Sequence, residues 1–156
     1  MKKLILLLLF IPLVSFGQTK KLENVAFLDR VSSSSIDVAF LDRVSSSSID
    51  VAFLDRVSSS SIDVAFVNSP SSSSIDVSRN VTSYSTDICI LDRVTSSSID
   101  ICILDRVTSS SVDICIVDAP TSSSIDIFTD GEYLTQKQIA AIVIVNKQML
   151  EGKITN

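Results

Sequence analysis

Hydrophobic and polar residues alternate along most of the chain, in short stretches separated by runs of serine. Within residues 36–44, alternate positions fall on two faces: one carries Ile36, Val38, Phe40 and Val44, and the other carries Asp37, Ala39, Leu41 and Arg43. A period of two predicts β-strands, and the abundance of β-branched residues agrees. The serine run that follows, residues 45–48, predicts a turn because serine side chains compete for backbone hydrogen bonds.

This strand and turn together form a tandem repeat of 13 residues. The unit Val-Ala-Phe-Leu-Asp-Arg-Val-Ser-Ser-Ser-Ser-Ile-Asp begins at Val25 and returns unchanged at Val38 and Val51. A fixed short period indicates that each unit buries its apolar face only against neighbouring units. We therefore expect an all-β fold in which the repeats form one compact domain.

The repeats fall into two blocks. The first spans residues 25–76 and the second residues 88–126, where the unit is spelled with Ile-Cys-Ile. A proline version closes each block, at Pro70 and Pro120, and residues 77–87 form an irregular joint. The pattern indicates a duplicated half-domain.

Charge placement favours antiparallel pairing between successive repeats. A four-residue hairpin loop would bring Phe40 opposite Phe53 and Arg43 opposite Asp50. Opposite charges across strands stabilise a sheet, whereas parallel stacking at a 13-residue offset would align like charges. A β-solenoid with two short strands per repeat is the alternative.

The C-terminal part of the chain changes character after the β-repeat domain, residues 25–134. Thr135 followed by Gln138 fits a capping box and predicts a helix over residues 135–152 that covers the end of the repeats. Residues 142–145 are all β-branched, so a last strand is the competing prediction. The apolar face of the helix would carry Ile139, Ile142, Val143, Met149 and Leu150.

The N-terminal residues have the pattern of a secretory signal peptide. Two lysines precede an apolar run, and small residues predict cleavage after Gly17, so that residues 1–17 are removed and residues 18–24 lead into the repeats. The run is too short for a spanning helix, so no membrane span is expected after cleavage. We expect a periplasmic or secreted protein.

Composition argues against several functions. Loss of Lys2 and Lys3 with the signal peptide changes the formal net charge from −5 to −7, which disfavours nucleic-acid binding. The chain has no histidine and no tryptophan, which excludes histidine-dependent nucleophile arrangements. Carboxylates are plentiful but occupy equivalent positions in every repeat, whereas an active site needs groups unlike their copies. We expect no enzyme activity, no catalytic residues and no cofactor.

A repeated series of aspartates is the candidate for calcium binding. The alternative is that these strand-end carboxylates are solvated and pair with the arginine that follows most of them. Residues 126–137 resemble an EF-hand loop at Asp130-Gly131, but Phe128 and Lys137 occupy positions that need oxygen ligands. A metal site therefore stays undecided. The series is Asp29, Asp42, Asp55, Asp92, Asp105 and Asp118.

Three cysteines and the serine runs complete the candidates. Cys89, Cys102 and Cys115 replace the alanine of the first block, and small buried side chains are favoured over disulfides because their number is odd. The serine runs, residues 32–35, 45–48 and 58–61, are predicted turns; a hydroxyl array that contacts glycan or ice is the functional alternative.

The repeat resembles the tandem 13-residue repeats of the septoil-knot domain family. The nearest local matches are residues 64–70 and 114–120, and the likeness covers residues 25–128. It implies a compact β domain threaded as a seven-crossing torus knot. Serine or threonine runs replace the family's aromatic and Ala-Asp turn, and the capped tail replaces its Gly-Trp ending. The resemblance implies no catalytic or ligand-binding residues.

These observations favour a non-catalytic structural or interaction module of an exported protein, with an unknown partner. The alternative is a calcium- or glycan-binding repeat protein.

Overall fold

The structure is a computed structural model that describes residues 21–154. The proposed signal peptide, residues 1–17, lies outside the described residues, as do residues 18–20 of the lead-in. The strands are β1 (Asn24–Leu28), β2 (Ile36–Leu41), β3 (Ile49–Leu54), β4 (Ile62–Val67), β5 (Ile75–Ser78), β6 (Thr86–Leu91), β7 (Ile99–Leu104), β8 (Val112–Val117) and β9 (Ile125–Thr129). They are followed by helix α1 (Gln136–Leu150).

All nine strands are parallel and close into one barrel in the order β1-β5-β9-β4-β8-β3-β7-β2-β6. The predicted all-β repeat domain with a short C-terminal helix is confirmed. The antiparallel hairpin register is wrong, because Phe40 lies opposite Ile101 rather than Phe53. The solenoid alternative is also wrong, since no strand pairs with the next repeat in sequence.

The stagger between neighbouring strands explains how parallel strands are joined by such short segments. Leu28 of β1 lies level with Cys89 of β6, which lies level with Asp37 near the start of β2. Each strand therefore begins at the level along the barrel axis where the preceding strand in the sequence ends, and it lies two strand positions further around the barrel. Seven residues, 29–35, make the connection, whereas parallel strands that start at the same level need about a dozen or more.

The same stagger removes the like charges that disfavoured parallel pairing. Asp37 lies opposite Cys89, and Asp50 lies opposite Cys102. The aspartates of the strands therefore face neutral side chains and not other aspartates. Adjacent repeats are not partners in the sheet, so the like-charge contacts of a 13-residue offset do not arise.

Helix α1 fills the inside of the barrel. All eight residues from Ile139 to Asn146 are buried, so the helix is surrounded on every side. They share one core with an inward residue from each strand, such as Val38 and Ile101, which are fully buried. Nine strands with this stagger form a barrel whose backbone lies roughly 11 Å from the axis, and inward side chains alone would leave its centre unfilled.

The position of α1 differs from the expected cover at the end of the repeats. The buried surface of the helix is wider than the predicted apolar face, because Ala140, Ala141 and Ile144 are buried as well. The prediction for Leu150 is wrong, since this residue is 44% exposed. The capping box is confirmed: the Thr135 hydroxyl accepts the Gln138 amide at 3.3 Å, and the Gln138 side chain accepts the Thr135 amide.

One polar side chain of the helix is buried at the far end of the lumen. The Asn146 carboxamide oxygen accepts the backbone N–H of Leu22 at 3.2 Å, and both residues are buried. This bond holds the start of β1 against the last turns of α1. Because α1 occupies the lumen, the connections between strands have to run outside the barrel.

Each connection passes over the strand that lies between the two strands it joins. The connection from β2 to β3 passes over β7, where Cys102 points outward yet is buried. Alanine or cysteine occupies this outward position in seven of the eight crossed strands and is buried in all seven, whereas crossed β9 has the half-buried Phe128. We attribute the small residue to the chain that crosses close above it.

Strand β5 is the exception. Eight connections join nine strands, and β5 is the strand that none of them crosses. Its outward residue is Ser78, which is exposed. The irregular joint of residues 77–87 is two residues short of a full repeat, and the loss shortens β5 to four residues while its connection keeps the usual seven.

The crossings predict a difference between two substitutions to leucine at equivalent positions. Ala52→Leu in β3 should destabilise the protein by about 1–3 kcal/mol, because the larger side chain would collide with the crossing connection. Ser78→Leu in uncrossed β5 should change the free energy of unfolding by less than about 0.5 kcal/mol. Urea unfolding of both variants measures the difference, and equal destabilisation would contradict the crossing.

Candidate functional site

The serine runs form identical turns that end in a hydrogen bond to an aspartate. In the second turn, the Ser48 amide donates to the Ser45 carbonyl at 3.3 Å, and the Ser48 hydroxyl accepts the Ser45 amide at 3.0 Å. That hydroxyl also lies 2.9 Å from the Asp50 carboxylate, to which it donates. All eight turns have the serine–aspartate bond. The predicted turns are confirmed.

The turn geometry gives the serines of one run different roles. Ser45 and Ser48 hold the turn, and Ser47 contacts the Ser45 hydroxyl at 3.2 Å. Ser46 is exposed at the tip. The hydroxyls are therefore grouped in separate turns, each engaged internally, which is a poor match to a continuous binding array.

The aspartate series proposed for calcium begins the connections. Asp42 is the first residue after β2, and all six members are exposed. Successive connections lie two places apart around the barrel, so these carboxylates are spread over the surface. Among residues 21–154, no three acidic or cysteine side chains are grouped as metal ligands.

The expected pairing of these aspartates with the arginines that follow them does not occur. Ion pairs in the described part of the chain join Arg79 to Glu132, and join Glu151 to Lys147 and Lys153. The lysines lower the pKa of Glu151 to about 2. The repeat arginines, represented by Arg43, therefore remain available at the surface.

The three cysteines are buried free thiols. Burial raises the pKa of Cys102, and the carboxylates of Asp50 and Asp42 raise it further. These two aspartates flank the connection from β2 to β3, which is the connection that passes over Cys102. Such a thiol resists ionisation and is poorly suited to act as a nucleophile.

The segment that resembled an EF-hand loop is divided between two elements. Residues 125–129 form β9, where Asp126 accepts a hydrogen bond from the Ser124 hydroxyl at 2.7 Å. Gly131, with φ of 76°, then turns the chain toward α1. The residues of this segment therefore do not wrap around a common centre.

The most distinctive surface feature is a groove over β5. It encloses about 760 Å³, and its lining includes Ser78 and Arg79 at the end of β5 and Asp130 and Glu132 from the segment after β9. Arg79 forms an ion pair with Glu132. We call this feature the β5 groove, and its lining is Asn24, Asp76, Val77, Ser78, Arg79, Asn80, Thr82, Phe128, Asp130 and Glu132.

A second cavity of about 660 Å³ adjoins the β5 groove and shares Phe128, Asp130 and Glu132 with it. Its walls include Phe66, which is 38% exposed. Tyr133, on the segment leading into α1, is fully exposed at its edge. The two cavities together combine apolar, acidic and basic side chains in one continuous part of the surface.

Sequence reasoning found no group of residues unlike its copies, and the β5 groove is such a group. Two features of the sequence mark this group: the two-residue deficit in residues 77–87, and the replacement of the outward alanine or cysteine by the polar Ser78 and the large Phe128. These departures are far apart in the sequence. Only the pairing of β5 with β9 brings them together.

Comparison with protein-family models, curated proteins and solved structures finds no match to this chain. Helices long and apolar enough to cross a membrane do not occur within residues 21–154.

The turn geometry predicts unequal effects of two serine substitutions within one run. Ser48→Ala removes the bonds to Ser45 and Asp50 and should destabilise the protein by about 1 kcal/mol. Ser46→Ala, at the exposed tip, should have almost no effect and serves as the control. Thermal unfolding of both variants tests this difference, and an equal loss of stability would contradict the separate role that the turn geometry gives to Ser48.

Proposed function

We propose that the protein is a rigid, non-catalytic structural or interaction module that acts outside the cytoplasm. The observation that carries this proposal is the filled lumen. The inside of a wide barrel would be the natural place for a substrate, and α1 occupies it with Ile139 to Asn146. Function is thereby directed to the outer surface.

The regularity of that surface supports the same proposal. Eight connections of seven residues present the same turn around the barrel, each tied to a strand by a serine–aspartate bond. Among the described residues, every buried side-chain nitrogen and oxygen has a hydrogen-bond partner. A scaffold with this degree of internal satisfaction resists local opening.

The proposal includes a knotted chain, as the resemblance to the septoil-knot family implies. Its support is the order of crossings: a strand such as β2 passes beneath one connection and then continues into a connection that passes over β7. The chain goes around the barrel nearly twice in this alternating manner. Such threading is a rare exception among protein folds.

Mechanical unfolding of the chain, held at Lys21 and Ile154, tests the proposal. A rigid knotted module should open in one step, and its extension should fall short of about 3.5 Å per residue because the tightened knot retains part of the chain. Ile142→Ala should lower the opening force by weakening the filled lumen, and exposed Leu150→Ala is the control.

Two outcomes would contradict the proposal. Opening in small steps, one repeat at a time, would describe a flexible linear array rather than a scaffold. Full extension of the chain would show that it is not knotted.

A further inference from the structure

We infer that the β5 groove binds a short extended segment of a partner protein that carries at least one lysine or arginine. This inference deepens the proposed interaction role and rests on it. It follows from the topology of the barrel, the charge of the groove and the shape of its walls.

The topology shows that the outer face of a strand in this barrel can be covered by a segment of polypeptide. Eight of the nine strands have a seven-residue connection lying across their outer face, and β5 has none. A connection leaving β9 in the same pattern would cross β5, but the chain turns at Gly131 and enters the lumen as α1. The position of a ninth connection is therefore open to a segment from another chain.

The side chains at this position agree with an open site. The outward residues beneath the connections, such as Ala39 and Cys102, are 1% and 3% exposed, whereas Ser78 is exposed. The Ser78 hydroxyl donates a hydrogen bond to the Asn80 carbonyl at 2.8 Å and is therefore held at the start of the following connection. In the seven strands with alanine or cysteine at the outward position, two apolar residues follow it, such as Phe40 and Leu41 in β2. The shortened β5 lacks both, and we attribute the space of the groove to this loss.

The charge of the groove selects a basic segment. Three carboxylates, those of Asp76, Asp130 and Glu132, line it against the single guanidinium of Arg79. Arg79 neutralises Glu132, and the Ser74 hydroxyl donates to Asp76 at 2.7 Å without cancelling its charge. Two negative charges thus remain for a cationic side chain, whose pairing would be sensitive to salt.

The apolar wall provides the rest of the contact. Phe128 lies between the β5 groove and the adjoining cavity, whose walls include Phe66 and Ile116. An apolar residue next to the basic residue of the bound segment would pack here. The repeat itself offers a suitable probe, because its connections place a valine directly after an arginine.

Peptide titration followed by NMR tests the inference on the full chain. The probe is acetyl-Gly-Leu-Lys-Arg-Val-Ser-Ser-Ser-amide, and its matched control replaces Lys-Arg by Asp-Glu. We expect the basic peptide to bind at least ten-fold tighter at low salt, with shift changes confined to β5, residues 79–82 and residues 128–134. Raising NaCl from about 0.02 M to about 0.3 M should weaken the binding.

A pair of charge-matched variants locates the binding. Asp130→Asn combined with Glu132→Gln should weaken binding of the basic peptide at least ten-fold. Asp55→Asn combined with Asp92→Asn removes the same charge from connections elsewhere on the barrel and should leave the affinity unchanged. Should the first variant fail to fold, the salt dependence and the shift map of the unsubstituted chain decide the question.

Four results would overturn the inference: equal affinity for the acidic peptide, equal loss in both variants, shift changes spread around the barrel, or no binding at about 1 mM peptide. None of them would affect the mechanical test of the scaffold. Conversely, stepwise opening of the repeats would reject the scaffold even if the peptide bound.

Discussion

The stagger of neighbouring strands is the constraint on which the rest of the structure depends. Val38 lies level with Ile90, the fifth residue of β6, on one side and with Ile99, the first residue of β7, on the other. The two neighbours of β2 are therefore shifted by four residues relative to each other. This shift lets seven residues join parallel strands, and it keeps aspartates from facing each other. It also widens the barrel, so that the closed sheet needs a further element inside it to complete a packed core.

Helix α1 fills the interior of this wide barrel. Its buried residues are 139–146 and Met149, and all are apolar except Asn146, whose oxygen accepts a hydrogen bond from the Leu22 amide. With the lumen full, the connections must cross on the outside, and the residue beneath the crossing is alanine or cysteine in seven of the eight crossed strands. The alanine of the first block and the cysteine of the second therefore answer the same steric demand.

Local structure could be predicted from the sequence because its causes are local. Alternation predicted the strands, the serine runs predicted the turns, and Thr135 with Gln138 predicted the start of the helix. Pairing could not be predicted in the same way. The partners of Val38 are 52 and 61 residues away, and closure of the barrel around α1 selects them. Identical repeats carry no information that distinguishes one partner from another.

The surface departs from the repeated pattern where the repeats themselves are irregular. A two-residue deficit shortens β5, the turn at Gly131 withholds a ninth connection, and Phe128 replaces a small residue. The β5 groove lies at this departure from the repeat, and its lining joins the guanidinium of Arg79 to three carboxylates.

The central claim, that α1 lies inside the barrel, is tested most directly by methyl–methyl NOEs. Ile142 and Ile144 should show contacts to Val25 of β1 and to Ile114 of β8, which are on opposite sides of the barrel. A helix that only covers one end would instead contact residues of a single rim, such as Phe27 and Phe40. NOEs limited to that rim would contradict the account.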